Sequence, residues 1–515
     1  MTRLYPLLTF VLLLTLIQRS TAQDIEEHTI DALVAKTLKT FNVPGVALGI
    51  VKDGKVVLKK GYGVTSIHTK QPVNTQTNFG IASNSKAFTA TALAILIDQK
   101  KLQWDDRVQQ YIPEFKLYDP YVSSHFTIRD LLTHRSGLGL GAGDLMIWPD
   151  SNDFTPKDII HNIQYLKPVS GFRAKYDYDN LLYIVAGVVI ERASGQTWAQ
   201  FISEHILTPL QMERSAPNWH LLKSSENIID PHVPIDGQLH VVHKYDGTTV
   251  DAAGGIYSNV DDLIKWVSLH LENGTIAGRQ IVSKQQMDEL KKPQTLMPVY
   301  TTPPYNSLFR AYGLGFRLTD VAGKLEVSHT GGLEGMVTQI VMIPQLQLGI
   351  IVLTNQQEGA AFMAISNTIK DFYLGIPPQD WVAKYQSENE SSTTEADKIT
   401  SDVWQTISNQ SKKNRLLANI WEGKFVDNWL GEVKIFRSNG KLRFQSKRSP
   451  QLTGQLFFYK DDTFVIKWDN RYFQADAFVN FKVYQDKVSG FTMKAISPLT
   501  DFSYDFHDLE FKKIN

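Results

Sequence analysis

The chain has 515 residues with 53 basic and 53 acidic side chains, so its net charge favours neither a nucleic acid nor an anionic membrane as partner. This length allows two or three domains, and a hydrophobic share of 43% is enough to bury a sizeable core. The lack of cysteine excludes disulfides, thiol catalysis and thiolate metal sites.

The N-terminus has the pattern of an export signal. Arg3 is followed by an apolar run over residues 6–17, which is too short to span a bilayer comfortably. Small residues at positions 20–22 suit cleavage after Ala22. We therefore expect a secreted or periplasmic protein without stable membrane insertion once the signal is cleaved; an uncleaved anchor remains the alternative.

The segment after this signal predicts a helix followed by a hairpin. Residues 25–41 have helical spacing of apolar side chains. Residues 46–51 and 55–58 are β-type segments, and the Asp53-Gly54 pair between them tolerates positive φ. A tight β-hairpin is therefore expected at this point.

A similar arrangement in reverse order occurs about 300 residues later. Residues 337–343 and 348–353 predict a second hairpin, and residues 360–373 a helix. This symmetry predicts one antiparallel sheet built from both ends of a domain, flanked by helices, with a mostly helical, loop-rich region inserted between. The fold class expected is α/β (α+β).

The composition changes near residue 385. Residues 386–395 contain no apolar side chain and indicate a solvated linker, and residues 397–411 suit a short helix. Short β-type segments then recur, which predicts a small antiparallel barrel or sandwich. These segments are residues 431–437, 441–447, 455–460, 463–468, 474–484 and 490–496. The expected division is a signal (1–22), a main domain (23–384), a linker with a short helix (385–415) and a β domain (416–515).

The first candidate for chemistry is the Ser-Asn-Ser-Lys segment at residues 83–86, which opens a strongly apolar, Ala-rich helix. A lysine three residues after a serine lies on the same helix face and can reach its hydroxyl. A desolvated lysine has a lowered pKa and can accept the proton of Ser83. On its own the pattern is better explained by Ser83 as a helix cap and Lys86 as a surface residue.

Two later segments carry further candidates. Tyr178 and Asn180 precede an apolar helical segment, where a phenol beside a lysine could shuttle a proton and an amide could hold substrate. A satisfied core tyrosine and a capping asparagine are the alternative. Residues 329–332, His-Thr-Gly-Gly, end a predicted strand, and glycines there permit close approach of a ligand to the backbone.

Taken together, Ser-x-x-Lys, Tyr-x-Asn and His-Thr-Gly, in this order and at these separations, resemble the active-site set of class C β-lactamases, D-Ala-D-Ala carboxypeptidases and related esterases. Other segments also match this family, and the resemblance spans residues 25–376. Family members with a C-terminal lipocalin-like or small β domain exist. The additional matching segments are residues 131–138, 253–263 and 312–316.

The resemblance implies a serine hydrolase that forms an acyl-enzyme on Ser83. Lys86 and Tyr178 would together move its proton, and which of the two is the general base stays open. The backbone N–H groups of Ser83 and Gly332 would form the oxyanion hole. The residues implied in substrate binding are Asn180, His329, Thr330 and Gly331.

One departure from the family guides the expected substrate. β-Lactamases usually have lysine where this chain has His329, so a permanent positive charge for a lactam carboxylate is expected to be missing. Action on D-amino-acid peptides or on esters is therefore favoured over β-lactamase activity. The implied partner is a small-molecule or peptide substrate. No cofactor and no metal is expected, and the oligomeric state stays open.

Two other hypotheses compete with the view that the main domain by itself forms a complete hydrolase. A catalytically weak or inactive binding or scaffold protein could keep this fold. Alternatively, the C-terminal β domain could hold part of the ligand site, gating or completing the cleft. Turnover and labelling of Ser83 distinguish the first alternative from an enzyme.

Overall fold

The computed structural model describes residues 24–224, 226–410 and 419–514. The predicted export signal lies outside these residues. Within them, no helix is both long and apolar enough to cross a membrane.

Twelve α-helices occur in the described residues. Their bounds are α1 (Glu27–Thr40), α2 (Ser85–Asp98), α3 (Pro120–His125), α4 (Ile128–Leu131), α5 (Pro156–Asn162), α6 (Leu181–Ser194), α7 (Trp198–Ile202), α8 (Asp251–Gly254), α9 (Val260–Leu271), α10 (Lys284–Leu290), α11 (Gly359–Leu374) and α12 (Trp381–Gln410).

The described β-strands fall into one large sheet, one barrel and three short pairs. Their bounds are β1 (Gly45–Lys52), β2 (Lys55–Gly63), β3 (Phe79–Gly80), β4 (His232–Ile235), β5 (Gln238–Val241), β6 (Tyr257–Ser258), β7 (Thr275–Ile276), β8 (Arg279–Gln280), β9 (Thr295–Leu296), β10 (Arg310–Tyr312), β11 (Arg317–Val321), β12 (Lys324–Leu333), β13 (Met336–Ile343), β14 (Leu348–Thr354), β15 (Gly423–Asp427), β16 (Gly431–Ser438), β17 (Lys441–Ser446), β18 (Thr453–Lys460), β19 (Thr463–Trp468), β20 (Ala477–Tyr484), β21 (Lys487–Ala495) and β22 (Glu510–Ile514).

The large sheet joins the two ends of the main domain, as predicted. Its eight strands have the order β2-β1-β14-β13-β12-β11-β10-β9, and each neighbouring pair is antiparallel. Asp53 and Gly54 connect β1 to β2 with positive φ at both residues, which matches the right-handed twist of a hairpin. The second predicted hairpin is β13 and β14.

Helices cover both faces of this sheet, which explains why β14 is fully buried and has no polar side chain before Thr354. Ile350 and Val352 belong to the hydrophobic cluster formed with α1 and α11. Ile351 and Leu353 alternate with them and belong to the cluster on the opposite face, which includes α2, α6 and α9. The predicted helical region lies on this second face.

The segment predicted to be a solvated linker is helical instead. Residues 386–395 lie within α12, which continues unbroken into the predicted short helix. Apolar residues anchor both ends: Trp381 packs in the cluster with α1 and α11, whereas Val403 and Ile407 pack against barrel residues. The exposed middle needs no apolar residues, because its glutamine and three glutamates favour a helix and both ends of the helix are anchored.

The C-terminal segment forms a closed antiparallel barrel in which β15 to β22 follow chain order. The predicted strands correspond to β16 through β21. Strands β15 and β22, which pair with each other and close the barrel, were not predicted from the sequence. The barrel interior is rich in aromatic side chains, including Trp421, Phe425 and Phe491.

Polar contacts join the barrel to the main domain at several separate places. Arg448 forms ion pairs with Asp153 and Asp158. Lys167 pairs with Glu510 at 3.0 Å on the exposed side of the interface. Both domains contribute to one hydrophobic cluster, so the barrel packs as part of the same folded body.

Candidate active site

Ser83 lies in a tight 3₁₀ turn, Ala82–Asn84, that leads directly into α2. Ala82 has φ of 50°, a left-handed conformation that is unfavourable for a residue with a side chain. Strand β12 packs closely against this turn. A Cβ at Gly331 would lie 2.1 Å from the carbonyl oxygen of Ile81, so only glycine permits the approach.

Lys86 is completely buried in the first turn of α2. Its Nζ lies 3.1 Å from Ser83 Oγ, 2.7 Å from Asn180 Oδ1 and 2.9 Å from the carbonyl oxygen of Ala253. Burial lowers the pKa of Lys86 to about 7, although the carboxylate of Asp144 opposes this shift. The alternative of a surface lysine beside a capping serine is therefore wrong.

Tyr178 lies on the other side of the same ammonium group. Lys86 Nζ is 4.9 Å from the centre of the tyrosine ring, and only 6% of Tyr178 is exposed. Burial raises the pKa of Tyr178, while the positive charge of Arg317 and a side-chain hydrogen bond with Ser83 act in the opposite direction. Tyr178 therefore carries its proton at neutral pH.

The residues expected to bind substrate do not all reach the same surface. Asn180, Thr330 and Gly332 line the cleft beside Ser83. The amide of Asn180 is already engaged, because its Oδ1 accepts from Lys86 and its Nδ2 donates to Asp144 at 2.7 Å. We therefore infer that Asn180 orients Lys86.

His329 and Gly331 do not line the cleft. His329 is 2% exposed, with Nε2 2.9 Å from the Tyr312 hydroxyl and Nδ1 2.6 Å from the carbonyl oxygen of Thr330. Burial lowers the pKa of His329 well below its usual value, so the ring is neutral. The structure thus does not support direct substrate binding by His329, because both ring nitrogens already have partners.

Arg317 places a positive charge in the cleft, where the histidine at position 329 predicted that such a charge would be missing. It begins β11, directly beside β12, and its guanidinium donates to Thr330 Oγ1 at 2.7 Å. Among the described residues, no carboxylate forms an ion pair with it, and it lines the cleft. The prediction of a missing positive charge was wrong because the charge comes from Arg317 on the neighbouring strand, which lies 12 positions before His329 in the sequence.

The cleft has a volume of about 910 Å³ and is open to solvent. The main domain supplies one wall, and the barrel supplies the other through residues 472–474, 499 and 501–504. The hypothesis that the β domain completes the cleft therefore has structural support. The cleft is large enough for a short peptide rather than only a small ester.

The family model described as beta-lactamase matches residues 30–372, which is more than half of the chain. The chain belongs to the β-lactamase family. A second model, described as a domain of unknown function (DUF3471), matches residues 410–513 and thus covers the barrel.

The chain is similar to one curated relative and to two solved structures at low sequence identity. Unguisins hydrolase ungD of Aspergillus violaceofuscus is 27% identical over 381 residues, which cover 68% of this chain and 66% of that protein. The octameric penicillin-binding protein homologue from Pyrococcus abyssi is 22% identical with a TM-score of 0.61, covering 95% of this chain and 100% of that one. A class C β-lactamase is 19% identical with a TM-score of 0.55, covering 68% and 95%.

The flanking segments of this β-lactamase-family chain have structural roles. His134 is fully buried, and its Nδ1 accepts from the backbone N–H of Asp179 at 3.1 Å, next to Tyr178. Its ring centre lies 4.2 Å from that of Tyr178. His134 therefore fixes the loop that presents Tyr178, as expected for a buried histidine.

Asp144 and a group of three possible metal ligands were missed by the sequence analysis. Asp144 contacts Asn180, but it belongs to no motif and lies 36 positions away. Asp150, His243 and Asp246 bring their ligand atoms within 4.8 Å of one another. Exposed acidic groups often cluster without an ion, so no metal site is assigned to these three residues.

Proposed function

We propose that this chain is an exported serine hydrolase that cleaves an amide or ester bond through an acyl-enzyme on Ser83. The observation that carries the proposal is the 3.1 Å contact between Ser83 Oγ and the buried Nζ of Lys86, beside an open cleft. A lysine with a pKa of about 7 is partly neutral at physiological pH and can accept a proton. Export rests on the pattern of residues 1–22 alone.

The proposed proton transfers assign different roles to the lysine and the tyrosine. Neutral Lys86 accepts the proton of Ser83 as Oγ attacks the carbonyl carbon of the substrate. Tyr178, which is protonated, donates to the leaving group and recovers a proton from Lys86. The backbone N–H groups of Ser83 and Gly332 bind the oxyanion, and water then hydrolyses the acyl-enzyme.

Arg317 favours a substrate with a free carboxylate next to the scissile bond. Its guanidinium has no carboxylate partner among the described residues and is held by Thr330 in the wall of the cleft. A guanidinium binds a carboxylate with two parallel hydrogen bonds. We therefore favour a peptidase that removes a C-terminal residue from D-amino-acid peptides, with esterase activity as the second candidate.

The experiment that tests the proposed function is labelling of the active serine. We expect a fluorophosphonate probe and a fluorescent penicillin to label the full-length protein, and Ser83→Ala to abolish both signals. Ser85→Ala, two residues away, should keep the label. A wild-type protein that neither reacts with these probes nor turns over p-nitrophenyl esters and D-alanyl peptides would instead support the binding or scaffold hypothesis.

Replacing Arg317 should separate the two candidate substrate classes. For Arg317→Gln we expect kcat/KM on a D-alanyl-D-alanine peptide to fall about 30-fold or more, because a buried charged hydrogen bond to the carboxylate is lost. Activity on p-nitrophenyl acetate, which has no carboxylate, should change less than about 3-fold when both proteins are compared on the pH plateau above the acid limb, because loss of Arg317 also raises the pKa of Lys86. An equal fall on both substrates would contradict carboxylate recognition, and Arg317→Lys tests whether charge alone suffices.

A further inference from the structure

One loop of the barrel enters the active site of the main domain. This cleft loop, residues 499–505, precedes β22 and lines the cleft over residues 499 and 501–504. The ring of Phe502 packs edge-on against Tyr178, with the ring centres 5.7 Å apart. A Cβ at Gly141 would lie 2.6 Å from the carbonyl oxygen of Phe502, so the two backbones are in close contact.

A continuous chain of hydrogen bonds links this loop to the nucleophile. Ser503 Oγ donates to Asp144 Oδ2 at 2.8 Å, and Asn180 Nδ2 donates to the same oxygen at 2.7 Å. Asn180 Oδ1 then accepts from Lys86 Nζ at 2.7 Å, and that group contacts Ser83 Oγ. The members other than Ser83 are all buried, so water cannot easily replace a lost partner.

Asp505 fixes the backbone on both sides of Asp144. Its carboxylate accepts from the N–H of Gly143 at 2.6 Å and from the N–H of Leu145 at 3.2 Å. Ser503 therefore holds the side chain of Asp144 while Asp505 holds its peptide groups. Among the described residues, Asp144 Oδ1 has no hydrogen-bond partner, so Ser503 and Asn180 are its main polar contacts.

Burial raises the pKa of Asp144 well above its usual value, so Asp144 acts on Lys86 through its charge only in the fraction of molecules in which it is ionised. Its carboxylate is the strongest influence that opposes the effect of burial on the pKa of Lys86, followed by Asp179 in the same direction and Arg317 in the other. The remaining titratable groups around the ammonium are neutral: they are Tyr178, Tyr183, His134 and His329. A change at Asp144 is therefore expected to alter the protonation of Lys86.

We propose that the C-terminal barrel is a positioning element of the active site. Ser503 and Asp505 hold Asp144, and Asp144, through Asn180, directs the amine of Lys86 at Ser83. The inference rests on the proposed hydrolase function. It goes further, because a barrel that only lined the substrate cleft would not need to affect the chemical step. Ser503 is a positioning residue, since it contacts neither Ser83 nor Lys86.

The test compares kcat and KM of full-length variants on p-nitrophenyl acetate, a small ester without a carboxylate for Arg317. Ser503→Ala should lower kcat about 10- to 100-fold with little change in KM, because a displaced amine is a poorer base. Ser503→Thr keeps the hydroxyl and should restore kcat. Lys167→Met removes a barrel contact far from the cleft and should behave as wild type.

The pH profile provides a second measurement with a defined direction. Loss of the Ser503 hydroxyl raises the pKa of Asp144, so its carboxylate is more often neutral and supports the charged form of Lys86 less. The pKa of Lys86 then falls, and the acid limb of kcat/KM moves to lower pH. Asp144→Asn removes the charge directly and should move the limb the same way, even where Ser503→Ala folds poorly.

Two outcomes would overturn the inference while leaving the proposed function intact. The first is wild-type kcat and an unshifted acid limb in both Ser503→Ala and Asp144→Asn, with normal labelling by fluorophosphonate. The second is an equal loss of kcat in Lys167→Met, which would indicate general loosening of the domain interface. Failure of the wild-type protein to label or turn over would instead reject the proposed function itself.

Discussion

Ser83→Ala should lower kcat by about 10⁴- to 10⁶-fold, the largest effect expected for any single replacement in this protein. The hydroxyl of Ser83 is the only group in the proposed mechanism that forms a bond to the substrate. Without it, the cleft, Arg317 and the oxyanion-binding N–H groups remain, so KM should change little. Steady-state hydrolysis of p-nitrophenyl acetate measures both constants.

Ser85→Ala is the matched control for this prediction. Ser85 is also buried, and its Oγ accepts from the backbone N–H of Ile256 at 3.1 Å. Its loss should reduce stability, as seen by thermal unfolding, and leave turnover at the assay temperature within about 3-fold of wild type. If Ser85→Ala and Ser83→Ala lose activity equally, the assignment of Ser83 as nucleophile does not stand.

Lys86→Met should lower kcat by about 10³-fold, because the general base is lost while a side chain of similar length remains. Burial lowers the pKa of Lys86 to about 7 in the folded protein. The base must be unprotonated to act, so wild-type kcat/KM should rise with pH and reach half its maximum near this value. In Lys86→Met the residual activity should lack this rise.

A second lysine with a lowered pKa is available as a control. Burial lowers the pKa of Lys291 to about 8, and its Nζ donates to the carbonyl oxygen of His270, a residue that does not line the cleft. Lys291→Met should therefore keep both kcat and the acid limb of the wild type. If it removed the limb and Lys86→Met did not, Lys86 would not be the base.

Local pattern predicted the elements whose structure depends on neighbouring residues in the chain. The Asp53-Gly54 pair predicted the first hairpin because positive φ is a local requirement of the turn. The apolar, Ala-rich segment after Ser83 predicted a buried helix, and α2 is buried over nearly its whole length. The matching hairpins at the two ends of the domain predicted the large sheet, since both needed partners.

Patterns failed where an element depends on contacts at its ends. Residues 386–395 have no apolar spacing, so nothing in the segment itself predicts the helix that Trp381 and Val403 anchor from either side. Strands β15 and β22 are short, and they pair with each other although the other six strands of the barrel lie between them in the chain. Such long-range pairing leaves no mark within a short stretch of sequence.

The sequence by itself determined the sheet, the buried helix and the candidate trio of Ser83, Lys86 and Tyr178, because each depends on local spacing or on motifs of a few residues. Only the tertiary structure decided how those groups are surrounded. Arg317 reaches Thr330 from the next strand, and Ser503 reaches Asp144 across 359 positions of the chain. Charge, burial and hydrogen bonding act through space, so their partners are identified only once the chain has folded.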